Sequence, residues 1–392
     1  MAISEKVSEF MEKSSWIRKM FEEGIRLKQE FGEENVFDLS LGNPVMEPPE
    51  EVLKALVESA QDETPGLHRY MPNAGFADVR TVIAESLSPE CKVELSANDV
   101  LMVCGAAGGL NITLKTLLDP GDEVIIFTPY FVEYLFYADN HGGKAVPVPT
   151  GDDFHLDFSA LKNALNEKTK AVIINSPNNP TGVVYSRKEL RDLADILKTH
   201  SNRFGKAVHL ISDDPYKKIT FDGVEAPNIL EFYDNSIYIT SHSKDIALPG
   251  ERIGFVAVHP RCEDAGPIMA GLIFCNRVLG FVNAPALIQR VVKQVQSVTV
   301  DVEQYRRKRD YLHKELTRIG YDVVEPQGAF YFFPKSPLKD EVEFVRKLAE
   351  NKVLVVPGRG FGLPGYFRIS YCFPDSVIEG SILGFEQAFR AF

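Results

Sequence analysis

The chain has 392 residues, 44% hydrophobic and 25% charged, with 43 Lys and Arg against 55 Asp and Glu, a formal net charge of -12. This length exceeds the size at which one hydrophobic core keeps growing, so a globular protein of two lobes is expected. The acidic balance excludes a nucleic-acid-binding surface and a bare membrane-surface role, while leaving room for a local basic pocket.

The N-terminal segment is charged throughout and does not read as a signal peptide, and no apolar run approaches membrane-spanning length. The first thirty or so residues read as helix, with Trp16, Met20, Phe21 and Ile25 on one face. The turn-rich string Leu41-Gly42-Asn43-Pro44-Val45-Met46-Glu47-Pro48-Pro49 reads as a connection between lobes.

From about 50 to 285, short apolar runs rich in β-branched residues alternate with helical patterns. The runs fall at 100–103, 123–127, 171–175, 209–212, 236–240 and 253–258. Such alternation predicts an α/β fold, a mostly parallel sheet with helices on both faces. Ligands of such sheets bind beyond the carboxyl ends of the strands. After about 290 a long polar helix is expected over 300–320, then strand-like pieces at 329–333 and 367–371 and a last helix. The expected division is residues 1–48, an N-terminal helix and connection packing with the small domain; 49–290, a large domain; and 291–392, a small α+β domain.

Several strand ends carry chemistry. Gly105-Ala106-Ala107 follows the first run and precedes a helical stretch, 111–118; small residues there let backbone N–H groups approach a phosphate. The segment is not GxGxxG and no acid suits a nicotinamide cofactor. Phe131, just past the second strand, has the position to stack on a flat ring, although core packing is the commoner fate of Phe. Asn178-Asn179-Pro180 is a dense turn signal, and an asparagine there can donate to a ring oxygen. Asp213 stands at a strand end with the phenol of Tyr216 three residues on. A buried carboxylate there would hold the proton of a pyridine nitrogen, and Tyr216 would donate to the ring's phenolic oxygen; a helix cap is the alternative for Asp213, and Asp214 reads as structural.

The most informative stretch is Ser241-His242-Ser243-Lys244, followed eight positions on by Arg252. A lysine that attacks carbonyls must be neutral part of the time, and a nearby fixed cation favours that state. The small hydroxyls leave room beside Lys244 and can bind phosphate oxygens. The wiring suits a phosphate-bearing aldehyde cofactor such as pyridoxal phosphate; an ordinary charged surface loop is the competing reading. Arg368 lies inside an apolar strand, where it needs either a substrate carboxylate or a structural ion pair. The five cysteines are scattered, without CxxC spacing, which points to a reducing compartment, the cytoplasm, and to no metal site.

In order, these segments resemble the class I/II aminotransferases of fold type I, the pyridoxal-phosphate family that includes aspartate aminotransferases. The resemblance runs from about Leu41 to Tyr371. It implies a role in amino acid metabolism, moving an α-amino group from an L-amino acid to a 2-oxo acid by a ping-pong reaction. Lys244 would bind pyridoxal 5′-phosphate covalently and shuttle the substrate's proton, with Asp213 and Tyr216 as the other catalytic residues. Asp213 would pair with the ring nitrogen, Asn179 and Tyr216 with the ring oxygen, and Phe131 would stack on the ring. Gly105, Ala106, Ala107, Ser241, Ser243 and Arg252 would hold the phosphate. Tyr70 would reach the phosphate of the neighbouring subunit of a homodimer. Gly42, Asn179 and Arg368 would receive the α-carboxylate.

The chain departs from the acid-specific members. Some carry Lys where this chain has Ala107, and the partner-supplied substrate arginine falls at about Val278, one residue from Arg277. If that segment is extended, alternation points Arg277 away. A different outcome on the same cofactor, such as a β-lyase acting on cystathionine-like amino acids or a cyclopropane-forming synthase, is the enzymatic alternative. A regulator built on this fold would need a DNA-binding domain, for which the first forty or so residues are too short and too acidic.

Overall fold

The structure is a computed structural model and describes residues 3–13 and 15–392. Among the described residues there are twelve strands: β1 Phe37–Asp38, β2 Val100–Val103, β3 Glu123–Thr128, β4 Lys144–Pro149, β5 Thr169–Ile174, β6 His209–Asp213, β7 Ser236–Ser241, β8 Gly254–Val258, β9 Tyr331–Phe332, β10 Val353–Leu354, β11 Val356–Pro357 and β12 Phe367–Ser370. Seven of them form one sheet in the order β2-β8-β7-β6-β5-β3-β4.

Alternate residues of this sheet feed opposite faces, as the pleat requires. Leu101, Val103, Val124 and Ile126 pack on one side with the helices Gly105–Leu117 and Ala265–Val278. Val100 and Met102 pack on the other side with the helices Glu50–Gln61, Ala77–Cys91 and Ala286–Gln294. Burial on both faces explains why these strands read as unbroken apolar runs.

Two features of the sheet were not expected. β4 pairs with β3 as an edge strand, with Pro147 opposite Ile126. Its prolines hid it, since proline suits only an edge. β8 runs antiparallel to both neighbours, β2 and β7, while the pairs among β3 to β7 are parallel. An apolar run carries no mark of its direction.

The remaining strands form a parallel pair, β1-β10, and an antiparallel sheet, β11-β12-β9. Tyr305, Leu312 and Leu316 of the helix Val302–Ile319 pack there with Phe330, Phe344, Phe367 and Phe385. The N-terminal region forms two helices, Glu5–Lys13 and Ser15–Phe31. The buried face of the second is Met20, Gly24 and Leu27, and Leu27 packs with Leu354. Ile25 is 45% exposed, against the expected face, because it lies one helical step round from Gly24. The side chain of Phe21 lies outside the described residues. No helix among the described residues is long and apolar enough to cross a membrane.

Candidate active site

β2, β3, β5, β6 and β7 share a direction, so their carboxyl ends meet at one edge of the sheet. The reversal of β8 brings its amino end to the same edge, where Val103 and Ser241 both pair with Gly254. Arg252 is thereby delivered beside the ends of β2 and β7. A cavity of about 350 Å³ opens there. Lys244, Asp213, Tyr216, Asn179 and Phe131 line it, together with Ala106, Ala107, Ser241, Ser243 and Arg252. Arg368 enters it from β12 and Gly42 from the loop that follows β1. Tyr70 does not: it is 92% exposed and borders a separate cleft with Phe281 and Pro285. A larger cavity, about 440 Å³, lies beside Asp214 and His242 and holds none of these residues.

Lys244 sits on the single helical turn His242–Asp245 that follows β7. Its Nζ donates to the Gly42 carbonyl at 2.7 Å and lies 5.7 Å from the centre of the Phe330 ring. Burial lowers its pKa to about 8, with Cys372 acting against and Arg368 and Arg252 adding smaller effects. The neighbouring cation expected to neutralise Lys244 is thus secondary to desolvation.

Asp213 is the last residue of β6 and caps no helix. The Tyr134 hydroxyl donates to its Oδ2 at 2.7 Å, while Oδ1 is buried without a partner. Burial pushes its pKa up to about 6, opposed by the Tyr134 hydrogen bond. Asp214 is also buried, accepts from the Ser212 hydroxyl and is pushed up to about 7 by desolvation. Asn175 braces both neighbouring segments: its Nδ2 donates to the Asp213 carbonyl, and its Oδ1 accepts from the Asn179 N–H at 2.6 Å.

Arg368, on β12, donates from Nη1 to Asn179 Oδ1 at 3.0 Å and from Nη2 to the Ser40 carbonyl at 2.6 Å. Its guanidinium lies 4.7 Å from the centres of both the Tyr331 and the Phe361 rings. Its Nε is buried without a partner, and it forms no ion pair with an acid among the described residues. The structural ion pair offered as its alternative role is therefore not formed here. Tyr331 also meets Tyr216, hydroxyl to hydroxyl, at 2.8 Å. A Cβ at residue 42 would stand 2.0 Å from the Tyr331 hydroxyl, so any side chain there would force Tyr331 to move.

The helix expected from residue 111 begins at Gly105. Its glycines oppose helix formation locally, yet a Cβ on Gly109 would come within 2.8 Å of Ile239, so close packing on the sheet overrides propensity. The first-turn N–H groups of this helix have no partners within it, and its Ala106 and Ala107 line the cavity together with Arg252. Gly105 has φ 71°, and a Cβ there would stand 2.9 Å from the Arg252 guanidinium. Arg252 itself has φ 52°, a costly conformation for a non-glycine residue, and its Nη1 donates to the Pro249 carbonyl at 2.9 Å. The Ser241 and Ser243 hydroxyls are 3.2 Å apart. Val278 and Arg277 are exposed and helical rather than extended, and neither lines the cavity. No cluster of three or more His, Cys, Asp or Glu suited to a metal occurs among the described residues.

Tyr134, Asn175, Tyr331 and Glu133 line the cavity without having been singled out from the sequence. Tyr134 and Glu133 stand within three residues of Phe131, at the end of a strand already known to reach the site, which was their available signal.

The family described as aminotransferase class I and II matches residues 34–380. A probable aspartate aminotransferase of Methanocaldococcus jannaschii is 32% identical, over 88% of this chain and 91% of that protein. Aromatic-amino-acid aminotransferase 2 of Thermococcus litoralis is 32% identical, over 100% of this chain and 99% of its own. The crystal structure of an amino transferase from Eubacterium rectale superposes with a TM-score of 0.96 at 38% identity, covering 100% of this chain and 99% of that one. With a family match that spans most of its length, the chain belongs to the class I and II aminotransferases.

Proposed function

We propose that this aminotransferase binds pyridoxal 5′-phosphate through Lys244 and transfers an α-amino group from an L-amino acid to a 2-oxo acid in ping-pong order. One observation carries the reading: Lys244 shares its cavity with a buried carboxylate oxygen, Asp213 Oδ1, that has no partner. A buried acceptor left open is costly unless a ligand donates to it. A protonated ring nitrogen supplies that donor. When bound, the cofactor contributes an aldehyde that takes the amino group and a cationic ring that draws electrons from the α carbon.

The other lining residues fit the same group. The first-turn N–H groups of Gly105, Ala106 and Ala107, the hydroxyls of Ser241 and Ser243 and the guanidinium of Arg252 would hold the phosphate. Phe131 would cover the ring, and Asn179 and Tyr216 would bond its oxygen. Arg368 and Asn179, with Gly42 leaving the space, would receive the α-carboxylate. Lys244, with a pKa of about 8, is available as a neutral amine near physiological pH to take and return the α proton.

The exposure of Tyr70 supports a homodimer in which this residue completes the partner's site. The sheet layout supports a large domain over 49–290, with 1–48 and 291–392 forming the smaller one. The five free cysteines support a cytoplasmic location. Aspartate, named for the Methanocaldococcus relative, is not adopted as the donor. The cations lining the cavity are Lys244, Arg252 and Arg368 among the described residues, and each already has a task.

The test is to follow the absorbance of the cofactor-loaded enzyme while adding single amino acids without a 2-oxo acid. Stoichiometric conversion to the amino form of the cofactor is expected. Release of pyruvate and ammonia with return of the original band would instead identify a β-lyase.

A further inference from the structure

Glu133 is the first residue of the helix Glu133–Asn140, two positions beyond Phe131. It lines the cavity that holds Lys244, Asn179 and Arg368. Its Oε2 is buried and accepts no hydrogen bond, and Glu133 forms no ion pair among the described residues. Desolvation raises its pKa, with its own backbone N–H and Arg368 acting against.

The fold has no evident need for an acid at this position. No side chain of the helix or its neighbours bonds to the buried oxygen. The start of a helix favours a carboxylate, but only by a few tenths to about one kcal/mol at most exposed sites, less than burial costs. A buried carboxylate oxygen without a partner, facing a substrate cavity, is complementary to something that enters the cavity. Whatever reaches it must donate hydrogen bonds or carry positive charge.

The cations lining the cavity point the same way. On the proposed function, on which this inference rests, Lys244, Arg252 and Arg368 serve the amine, the phosphate and the α-carboxylate. Ala107 adds no charge, and neither Val278 nor Arg277 lines the cavity of its own subunit. A second carboxylate on the substrate would find no free cation among the cavity-lining residues of its own subunit and would meet Glu133. We infer that Glu133 is a specificity-determining residue that turns away dicarboxylic amino acids and favours those whose side chain ends in an ammonium or guanidinium group. The substrate class is thus the basic amino acids, with small neutral ones tolerated.

The test compares kcat/KM of the cofactor-loaded enzyme for aspartate, alanine and ornithine in the half-reaction at pH 8. The wild type is expected to prefer ornithine to aspartate by at least tenfold. Glu133→Gln should raise the aspartate-to-alanine ratio and lower the ornithine-to-alanine ratio, each by at least tenfold. A wild-type preference for aspartate, or a shift below tenfold in either ratio, overturns the inference. A second measurement needs neither turnover nor the variant: dissociation constants of succinate and butanoate for the wild type, read from the cofactor band. Succinate binding no tighter than butanoate supports the inference, and tighter binding by tenfold overturns it. If no amino acid is converted at all, the proposed reaction fails, while the inhibitor pair still reports on Glu133.

Discussion

Replacing Tyr134 by Phe removes one hydroxyl, the group that donates to Asp213 Oδ2 at 2.7 Å. The other oxygen of Asp213 already lacks a partner, so the variant leaves the whole carboxylate buried and unbonded. A hydrogen bond to a charged group contributes about 1.5–3 kcal/mol, against about 0.5–1.5 kcal/mol for a neutral pair. At about 1.36 kcal/mol per pKa unit, loss of that difference, about 1–1.5 kcal/mol, carries Asp213 from about 6 up to about neutrality in the cofactor-free protein. Folding raises this pKa from 3.8 to about 6, so the stability that Asp213 contributes is full at low pH and is lost as the pH rises through about 6. In the variant that loss continues to higher pH. The stability difference between wild type and Tyr134→Phe should therefore widen by about 1 kcal/mol between pH 5 and pH 8. Asp214 titrates nearby but is present in both proteins and cancels. Urea midpoints of the cofactor-free proteins at equal concentration measure the effect. A difference that is the same at both pH values would refute the assigned role of the Tyr134 hydroxyl.

Three further outcomes are expected. The rate at which cofactor-free protein takes up pyridoxal phosphate should rise with pH and level off above about 8, because Lys244 must be neutral to react; a rate still climbing past pH 9 would contradict the pKa given to Lys244. Arg368→Ala should raise KM roughly 10- to 150-fold for every substrate with an α-carboxylate, the equivalent of one charge-assisted bond; equal loss with amines lacking that group would make Arg368 structural. Gly42→Ala should lower stability by about 1–3 kcal/mol through overpacking against Tyr331, readable as a drop in urea midpoint.

Much of the site was legible because strand ends mark it. Asp213, Lys244 and the helix beginning at Gly105 each follow an apolar run directly, and parallel strands send such positions to one edge. What escaped depends on contacts between distant segments. Tyr331 meets Gly42, Tyr216 and Arg368, and no spacing links residues so far apart in the chain. Asn175 braces Asp213 and Asn179 through its side-chain amide, a role that the dense turn signal around it obscured. β4 was hidden by its prolines, and the start of the helix at Gly105 by its glycines, because local preference argued against the element that packing imposes.

The reversed direction of β8 shows why a sequence can contain the right residues without showing how they meet. Were β8 parallel to β7, its amino end would lie at the opposite edge of the sheet, and Arg252 would be far from Gly105. Antiparallel pairing needs only the short connection 242–253, and that connection carries both Lys244 and Arg252. One short connection therefore places the Lys244 amine and the Arg252 guanidinium on the same rim. The consequence is electrostatic. A chain with net charge -12 concentrates Lys244, Arg252 and Arg368 around one cavity, where Asp213 and Glu133 are the opposing charges. Bulk charge repels anions at long range and is screened within about 10 Å at 0.1 M salt, whereas these three cations act at contact distance. The binding proposed for a phosphate and a carboxylate thus rests on the geometry of one loop and one strand rather than on the composition of the whole chain.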